Sequence, residues 1–172
     1  MPQYHISPIT PEQYSACEAV ARKGFSTVAA QFGLTRENCP ENPAFWSDGQ
    51  LSADEKAGKE TYILSVKDKI IGFIQLVVID NTAVDLAQLC VLPDQRRKGC
   101  GKQLLDFAKK RAAEMGRQKL TLGMIDSNLP LKKWYIKNGF VQTGARIYAN
   151  LPFVVGFLEC PVAKTAFNPL LR

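Results

Sequence analysis

Histidine is nearly absent from this chain: 172 residues contain one, His5. Five cysteines, Cys17, Cys39, Cys90, Cys100 and Cys160, form an odd, scattered set with no CxxC pair. A zinc site needs clustered imidazole or thiolate ligands, so no metal is expected. The same scatter is no disulfide framework, and reduced thiols in a cytoplasmic protein are the default. No apolar run approaches the ~18 residues of a membrane span, and no membrane association is expected. The N-terminus MPQYHISPITPEQ lacks a basic segment followed by an apolar one, so no secretory signal is read there. Two phosphate loops are missing as well. There is no GxxxxGK[ST], and GxGxxG fails because Gly99-Cys100-Gly101 runs on into Lys102, Gln103 and Leu104. Repeats, linkers and low-complexity segments are absent.

What is present is an ordinary globular composition, 46% apolar and 22% charged. At this length residues 1–172 make one domain with a sizeable core. Residues 3–9 read as a first strand. Tyr14, Cys17, Val20, Ala21, Phe25, Val28, Ala29 and Phe32 recur at steps of three and four, which predicts an amphipathic helix over 12–32, broken or bent near Gly24 and capped by Gly33. Residues 35–58 are expected to be loop with short helical turns. Strands over 61–66 and 70–78 flank Lys67-Asp68-Lys69 as a hairpin, and a third covers 83–92. A helix over 99–115, a strand over 120–125 and a helix over 131–137 follow. Strands over 140–148 and 153–160 close the order through Asn150-Leu151-Pro152, and 162–172 is left as a loose tail. The pattern alone specifies only α/β or α+β.

Residues 86–105, LAQLCVLPDQRRKGCGKQLL, carry the chemistry. An apolar strand stops at Leu92-Pro93, and the turn Arg96-Arg97-Lys98-Gly99-Cys100-Gly101 leads directly into a helix. A first helical turn has unpaired N–H donors and a dipole worth about +0.5 charge, which suits a phosphate. Gly99 and Gly101 let the main chain approach an anion where a side chain would block it, and three cations add charge. The bland reading is an ordinary strand-to-helix turn with a solvated charge run.

A second segment, NLPLKKWYIKNGF over 128–140, bears on that choice. Together the two stretches resemble the GNAT superfamily of acyl-CoA-dependent N-acyltransferases, with its [Q/R]xxGx[G/A] loop after a strand and a later N-x-x-A-x-x-x-Y-x-x-x-GF segment. Arg96, Gly99 and Gly101 stand at the loop positions; Asn128, Tyr135, Gly139 and Phe140 stand at the later ones, with Leu131 in place of the alanine. The resemblance covers about residues 60–160. It implies a central twisted, mostly antiparallel mixed sheet flanked by helices, ordered β-α-α-β-β-β-α-β-α-β-β. It also implies acetyl-CoA as cosubstrate, a cofactor core over 84–140 and an acceptor side built by 10–58 and the loop 149–152.

By that resemblance, the two strands either side of the loop diverge. Leu89, Cys90 and Val91 would line the pantetheine arm, one of their N–H groups polarising the thioester carbonyl. Arg96, Arg97, Lys98, Gly99, Cys100 and Gly101 would hold the diphosphate, and Asn128 would bind the arm or cap its helix. Tyr135 would be the acid for the leaving thiolate, or else a half-buried aromatic beside Trp134. The net charge of +6 concentrates in nine cations between Arg96 and Lys119. Nucleic acid would use such a cluster, but no helix-turn-helix, finger or RNP-like pattern accompanies it, and coenzyme A phosphates account for it.

The general base is not assigned. Positions where many members carry a glutamate are occupied by Ala87 and Gly123. Asp85 is expected on the face of Ala87 and Leu89, with four residues of strand placing it about 13 Å from Leu89. Asp126 and Glu159 are the other candidates. Cys90 and Cys100 raise an acyl-cysteine route, since nearby cations and a helix N-terminus would acidify a thiol; direct transfer in a ternary complex is preferred. The acceptor is read as a primary amine, a small molecule rather than a protein or peptide. Protein acetylation, a non-catalytic acyl-CoA sensor and a homodimer remain open alternatives.

Overall fold

The computed structural model describes residues 2–163. Its elements are β1 (Tyr4–Pro8), α1 (Tyr14–Phe32), α2 (Gln50–Lys56), β2 (Glu60–Val66), β3 (Lys69–Val78), β4 (Ala83–Val91), α3 (Cys100–Glu114), β5 (Lys119–Ile125), α4 (Leu129–Lys137), β6 (Val141–Ile147) and β7 (Val154–Pro161). The strands form one sheet ordered β1-β2-β3-β4-β5-β7-β6. All neighbours are antiparallel except β4 and β5. The expected element order and sheet are therefore the observed ones. Among the described residues no helix is long and apolar enough to cross a membrane.

Lys67 and Asp68 both have positive φ, 49° and 63°, the backbone a two-residue hairpin turn requires between β2 and β3. β3 is buried from Ile70 to Leu76, as a central strand covered on both faces must be. Cys90 of β4 sends its Sγ to the Val20 carbonyl of α1, 3.7 Å away. Gly72, one residue along β3 from the partner of Cys90, faces Leu104 of α3 instead. Helices α1 and α2 thus cover one face of the sheet, and α3 the other.

Two details depart from the sequence reading. α1 does not break at Gly24; it runs unbroken from Tyr14 to Phe32. A Cβ on Gly24 would collide with Cys90 Sγ, so the glycine serves helix-to-sheet approach, not a bend. The second helix is α2, in the segment expected to be loop with short helical turns. Its start is held by buried Glu18, whose Oε1 accepts from the N–H groups of Gly49 (3.1 Å) and Leu51 (2.9 Å).

The second departure is a β-bulge. Gln75 of β3 opposes Gln88 while Leu76 opposes Leu86, leaving Ala87 as the extra residue in β4. Side chains therefore switch faces across Ala87. Asp85, Gln88 and Cys90 share the α1 face, and Leu89 lies on the α3 face. Asp85 and Leu89 do not share a face, because the extra residue between them breaks the strict alternation of the strand. Of the expected tail, Val162 is anchored by its N–H to the Gln118 carbonyl (2.9 Å); residues 164–172 lie outside the described residues.

Candidate active site

β4 and β5 pair over only three residues, Ala83–Asp85 against Lys119–Thr121. Beyond them β4 stays with β3 up to Val91, and β5 stays with β7 up to Ile125. The two parallel strands therefore part, opening a cleft toward their carboxyl ends. The Leu92 N–H donates to Ile71 of β3 at 2.9 Å. Strand alternation then turns the main-chain groups of Val91 and Leu89 away from β3, into the cleft.

At the mouth of the cleft stands the basic turn. Arg97 and Gly99 have positive φ, 61° and 83°, and Gly99 is the cap from which α3 starts. The first helical bond of α3 is Gln103 N–H to Gly99 O, 3.1 Å. Among the described residues, the N–H groups of residues 97–102 have no acceptor. Six adjacent free donors at a helix start form a concave anion seat. The side chains of Arg97 and Lys98 are exposed beside it. Gly101 lies under Trp134 of α4, whose ring would be 3.4 Å from a Cβ there. The α4 aromatic thus borders the turn.

Arg96 is placed differently from its neighbours. Its Nε donates to Val91 O (3.1 Å), one terminal nitrogen to Thr27 Oγ1 (3.0 Å) and the other to Gly24 O (2.8 Å). All three nitrogens are engaged by α1 and the end of β4, so the guanidinium is turned away from the anion seat. Asn128 caps α4, its Oδ1 accepting from Leu131 N–H at 3.4 Å. Tyr135 is 6% exposed, wedged between Trp134 (5.0 Å) and Phe140 (5.3 Å). Burial pushes its phenol well above the ordinary range, so it stays protonated at neutral pH.

The two cysteines near the turn are both buried. Burial pushes the Cys90 thiol up to about 12, outweighing the opposing effect of Arg96. The acidified thiol that an acyl-cysteine route needs is not found there. Cys100 is 1% exposed and lies against the hydroxyl of Tyr4.

The three carboxylates separate clearly. Asp126 accepts from Lys132 (2.5 Å) and Gln142 (2.8 Å), and the Lys132 bond holds it below the usual carboxylate range. Glu159 is paired with Lys119 at 3.0 Å. Asp85 has no ion pair among the described residues. It sits at the vertex of the cleft, opposite Thr121, whose Oγ1 donates to it at 2.7 Å. Burial raises its pKa, the Thr121 bond only partly opposing. A desolvated carboxylate without a cation is a proton acceptor in waiting; a lysine-paired one is not. Sequence reading missed this sorting, because Lys119 and Lys132 reach their partners only in the fold.

A family model described as "Acetyltransferase (GNAT) domain" matches residues 57–142. An uncharacterized N-acetyltransferase from Lactobacillus delbrueckii subsp. lactis is 24% identical over 143 residues, 76% of this chain and 80% of the relative. One from Mycobacterium tuberculosis is 28% identical over 115 residues, 63% of this chain and 74% of the relative. Among solved structures, the ribosomal-protein-S18-alanine N-acetyltransferase of Escherichia coli shares the fold with TM-score 0.73 at 18% identity, over 99% of this chain and 100% of that one. The PaiA N-acetyltransferase of Thermoplasma acidophilum, solved in complex with coenzyme A, shares it with TM-score 0.71 at 20% identity, over 92% and 99%. The parted strands, the free amides before α3 and the matched domain agree, and the chain belongs to the GNAT family of acyl-CoA-dependent acetyltransferases.

Proposed function

We propose that this enzyme moves an acetyl group from acetyl-CoA to a small primary amine by direct attack in a ternary complex, in the cytoplasm. The observation that carries the reading is the pairing of free amides at residues 97–102 with a cleft whose closed end holds Asp85. The diphosphate of acetyl-CoA would sit on those amides, with Arg97 and Lys98 beside it. The pantetheine arm would run between β4 and β5 along Leu89, Cys90 and Val91. One cleft-facing N–H, from Leu89 or Val91, would donate to the thioester oxygen and stabilise the tetrahedral oxyanion.

An alkylamine has a pKa near 10 and arrives mostly protonated. Asp85 is the group that removes the proton, and the distance along β4 requires an intervening water. The neutral nitrogen then attacks the acetyl carbon to give a tetrahedral oxyanion, which collapses to the amide as the carbon–sulfur bond breaks, and the second proton of the nitrogen passes through water to the departed sulfur. The sulfur leaves as a thiolate. Tyr135 stabilises it by donating a hydrogen bond; full proton transfer from a phenol this buried is uphill.

A groove of about 620 Å³ lies between residues 37–41 and 149–152. It adjoins the Leu34–Cys39–Ile125 cluster at the carboxyl end of β5. Its walls include Glu37, Glu41, Asn38 and Asn150 with Pro40 and Leu151, which suits a small cationic amine approaching its site of deprotonation. The test is thiol release from acetyl-CoA across a panel of alkylamines, polyamines, amino acids and peptides, with calorimetry of CoA binding. Turnover of a small amine supports the reading. Turnover of peptides alone would make this a protein acetyltransferase, and CoA binding with no turnover would make it a sensor.

A further inference from the structure

The α1 face of the sheet carries a row of polar side chains that a core has no packing reason to contain. Thr61 opposes Gln75, and Gln75 opposes Gln88, so the three stand side by side across β2, β3 and β4. Thr61 is 9% exposed and Gln75 is 0% exposed. Buried Asp54 of α2 closes the row from above, 4% exposed. Gln75 Nε2 donates to Asp54 Oδ2 (3.0 Å) and to Thr61 Oγ1 (3.1 Å). Asp54 Oδ1 accepts from Gln50 Nε2 (3.0 Å) and pairs with Lys59 (3.2 Å). Among the described residues every group in this network is satisfied except one, the Oε1 of Gln75, which is buried with no partner. A buried amide oxygen left so costs about 1–3 kcal/mol, and such groups call for an explanation.

The row ends at Gln88. This residue is only partly buried, and its side chain has no partner among the described residues. The bulge at Ala87 puts it on the same face as Asp85, between Asp85 and the cleft-facing amide of Leu89. No other polar side chain of β4 occupies that interval. Opposed side chains on one face have Cβ atoms about 5 Å apart, so turning Gln88 brings its Nε2 to the orphaned Gln75 oxygen.

We propose that Gln88 is the residue that orients the acceptor amine, its own amide held by Gln75 and, through Gln75, by Asp54 and Thr61. Donating Nε2 to Gln75 Oε1 satisfies the buried oxygen and leaves Oε1 of Gln88 facing the cleft. There it accepts one N–H of the amine, and the nitrogen lone pair is turned toward the acetyl carbon. That hydrogen stays on nitrogen, while the proton lost from the ammonium travels by water to Asp85. This inference rests on reading the parted strands as the reaction cleft and Asp85 as the proton acceptor.

That underlying reading is tested separately, by CoA calorimetry and by loss of turnover in Asp85→Asn. For Gln88, kinetics use the panel amine with the highest turnover. Gln88→Leu is expected to lower kcat/KM for the amine by about ten- to a hundredfold, with CoA affinity unchanged within twofold. Gln75→Met is expected to lower the same constant by less. The double variant should be no worse than Gln88→Leu alone, since both substitutions remove one hydrogen-bonded unit. Wild-type-like kcat/KM in Gln88→Leu, or losses that multiply in the double variant, would overturn the proposal. An arm independent of any acceptor uses ¹⁵N-labelled protein. Gln75→Met should shift the side-chain amide signals of Gln88 and spare those of exposed Gln31; an unmoved Gln88 signal would equally overturn it.

Discussion

The guanidinium of Arg96 donates to the carbonyl of Gly24, 2.8 Å away and 72 residues earlier in the chain. This contact, with those to Thr27 and Val91, ties α1 to the end of the strand that leads into the anion seat. Arg96 therefore supports the turn mechanically, while Arg97 and Lys98 supply its exposed charge. Arg97→Gln and Lys98→Gln are expected to weaken CoA binding and to make it less sensitive to salt, since exposed charges act through a screened field. Arg96→Gln should leave the salt sensitivity intact and instead lower stability by about 1–2 kcal/mol. Calorimetry at two ionic strengths and denaturant melts read both effects.

Gly24 and Cys90 are complementary in volume. Gly24→Ala forces a methyl into the Cys90 sulfur and is expected to cost about 1–3 kcal/mol, the usual penalty of overpacking. Adding Cys90→Ala should restore most of the loss. Equilibrium unfolding of the two single variants and the double variant gives the coupling directly. Independent, additive losses would mean the contact is not what constrains position 24.

Asp85 is expected to link pH to both stability and rate. Its pKa in the folded protein is raised above the ordinary 3.8 by burial, so the native state holds the proton more tightly than the unfolded chain does. Its contribution to stability is then complete below 3.8 and is lost as pH rises through the folded value. Asp85→Asn should consequently raise the melting temperature at pH 7, with the gain shrinking toward pH 3. The same variant should lose about 10²–10⁴ in turnover. In the native enzyme the acidic limb of kcat/KM should lie above the ordinary aspartate range. An acidic limb unaltered by the substitution would remove Asp85 from the reaction.

Tyr135→Phe keeps the ring between Trp134 and Phe140 and deletes only the hydroxyl. Turnover is expected to fall about tenfold, the worth of one hydrogen bond to a developing anion, while CoA affinity stays the same. Because burial keeps the phenol protonated well above its ordinary range, it should contribute no basic limb near pH 10. Stopped-flow thiol release across pH measures both.

Gly99 sits at φ 83° at the start of α3, and Gly101 lies beneath Trp134. Glutamate at either position would fill the seat and bring a negative charge against phosphate. CoA binding is expected to vanish in Gly99→Glu and Gly101→Glu, with circular dichroism showing retained secondary structure. Retained affinity in either variant would displace the diphosphate from residues 97–102.

The order of elements, the glycine turn before α3 and the Asn128–Tyr135–Gly139 segment were all legible in the sequence, because each depends on local periodicity or on fixed spacing along the chain. Face assignments within β4 were not. A bulge adds one residue without any mark in the sequence, and a single extra residue reverses every side chain beyond it. The role of Gly24 is hidden in the sequence for a related reason. A helical glycine looks like a weak point until the sheet residue that fills its missing side chain is in view.

The candidate anion seat can be read from local chemistry, since its backbone donors, glycines and cations are neighbours in sequence. Which carboxylate is left without a cation is a matter of tertiary structure. Lys132 lies six residues from Asp126 and Lys119 lies 40 from Glu159, and these pairings neutralise two candidates. Among the described residues Asp85 is left half-buried and without a cation beside the hydroxyl of Thr121, 36 residues away. Proton affinity is set by desolvation and by the nearest opposite charge, and both are properties of the folded surroundings.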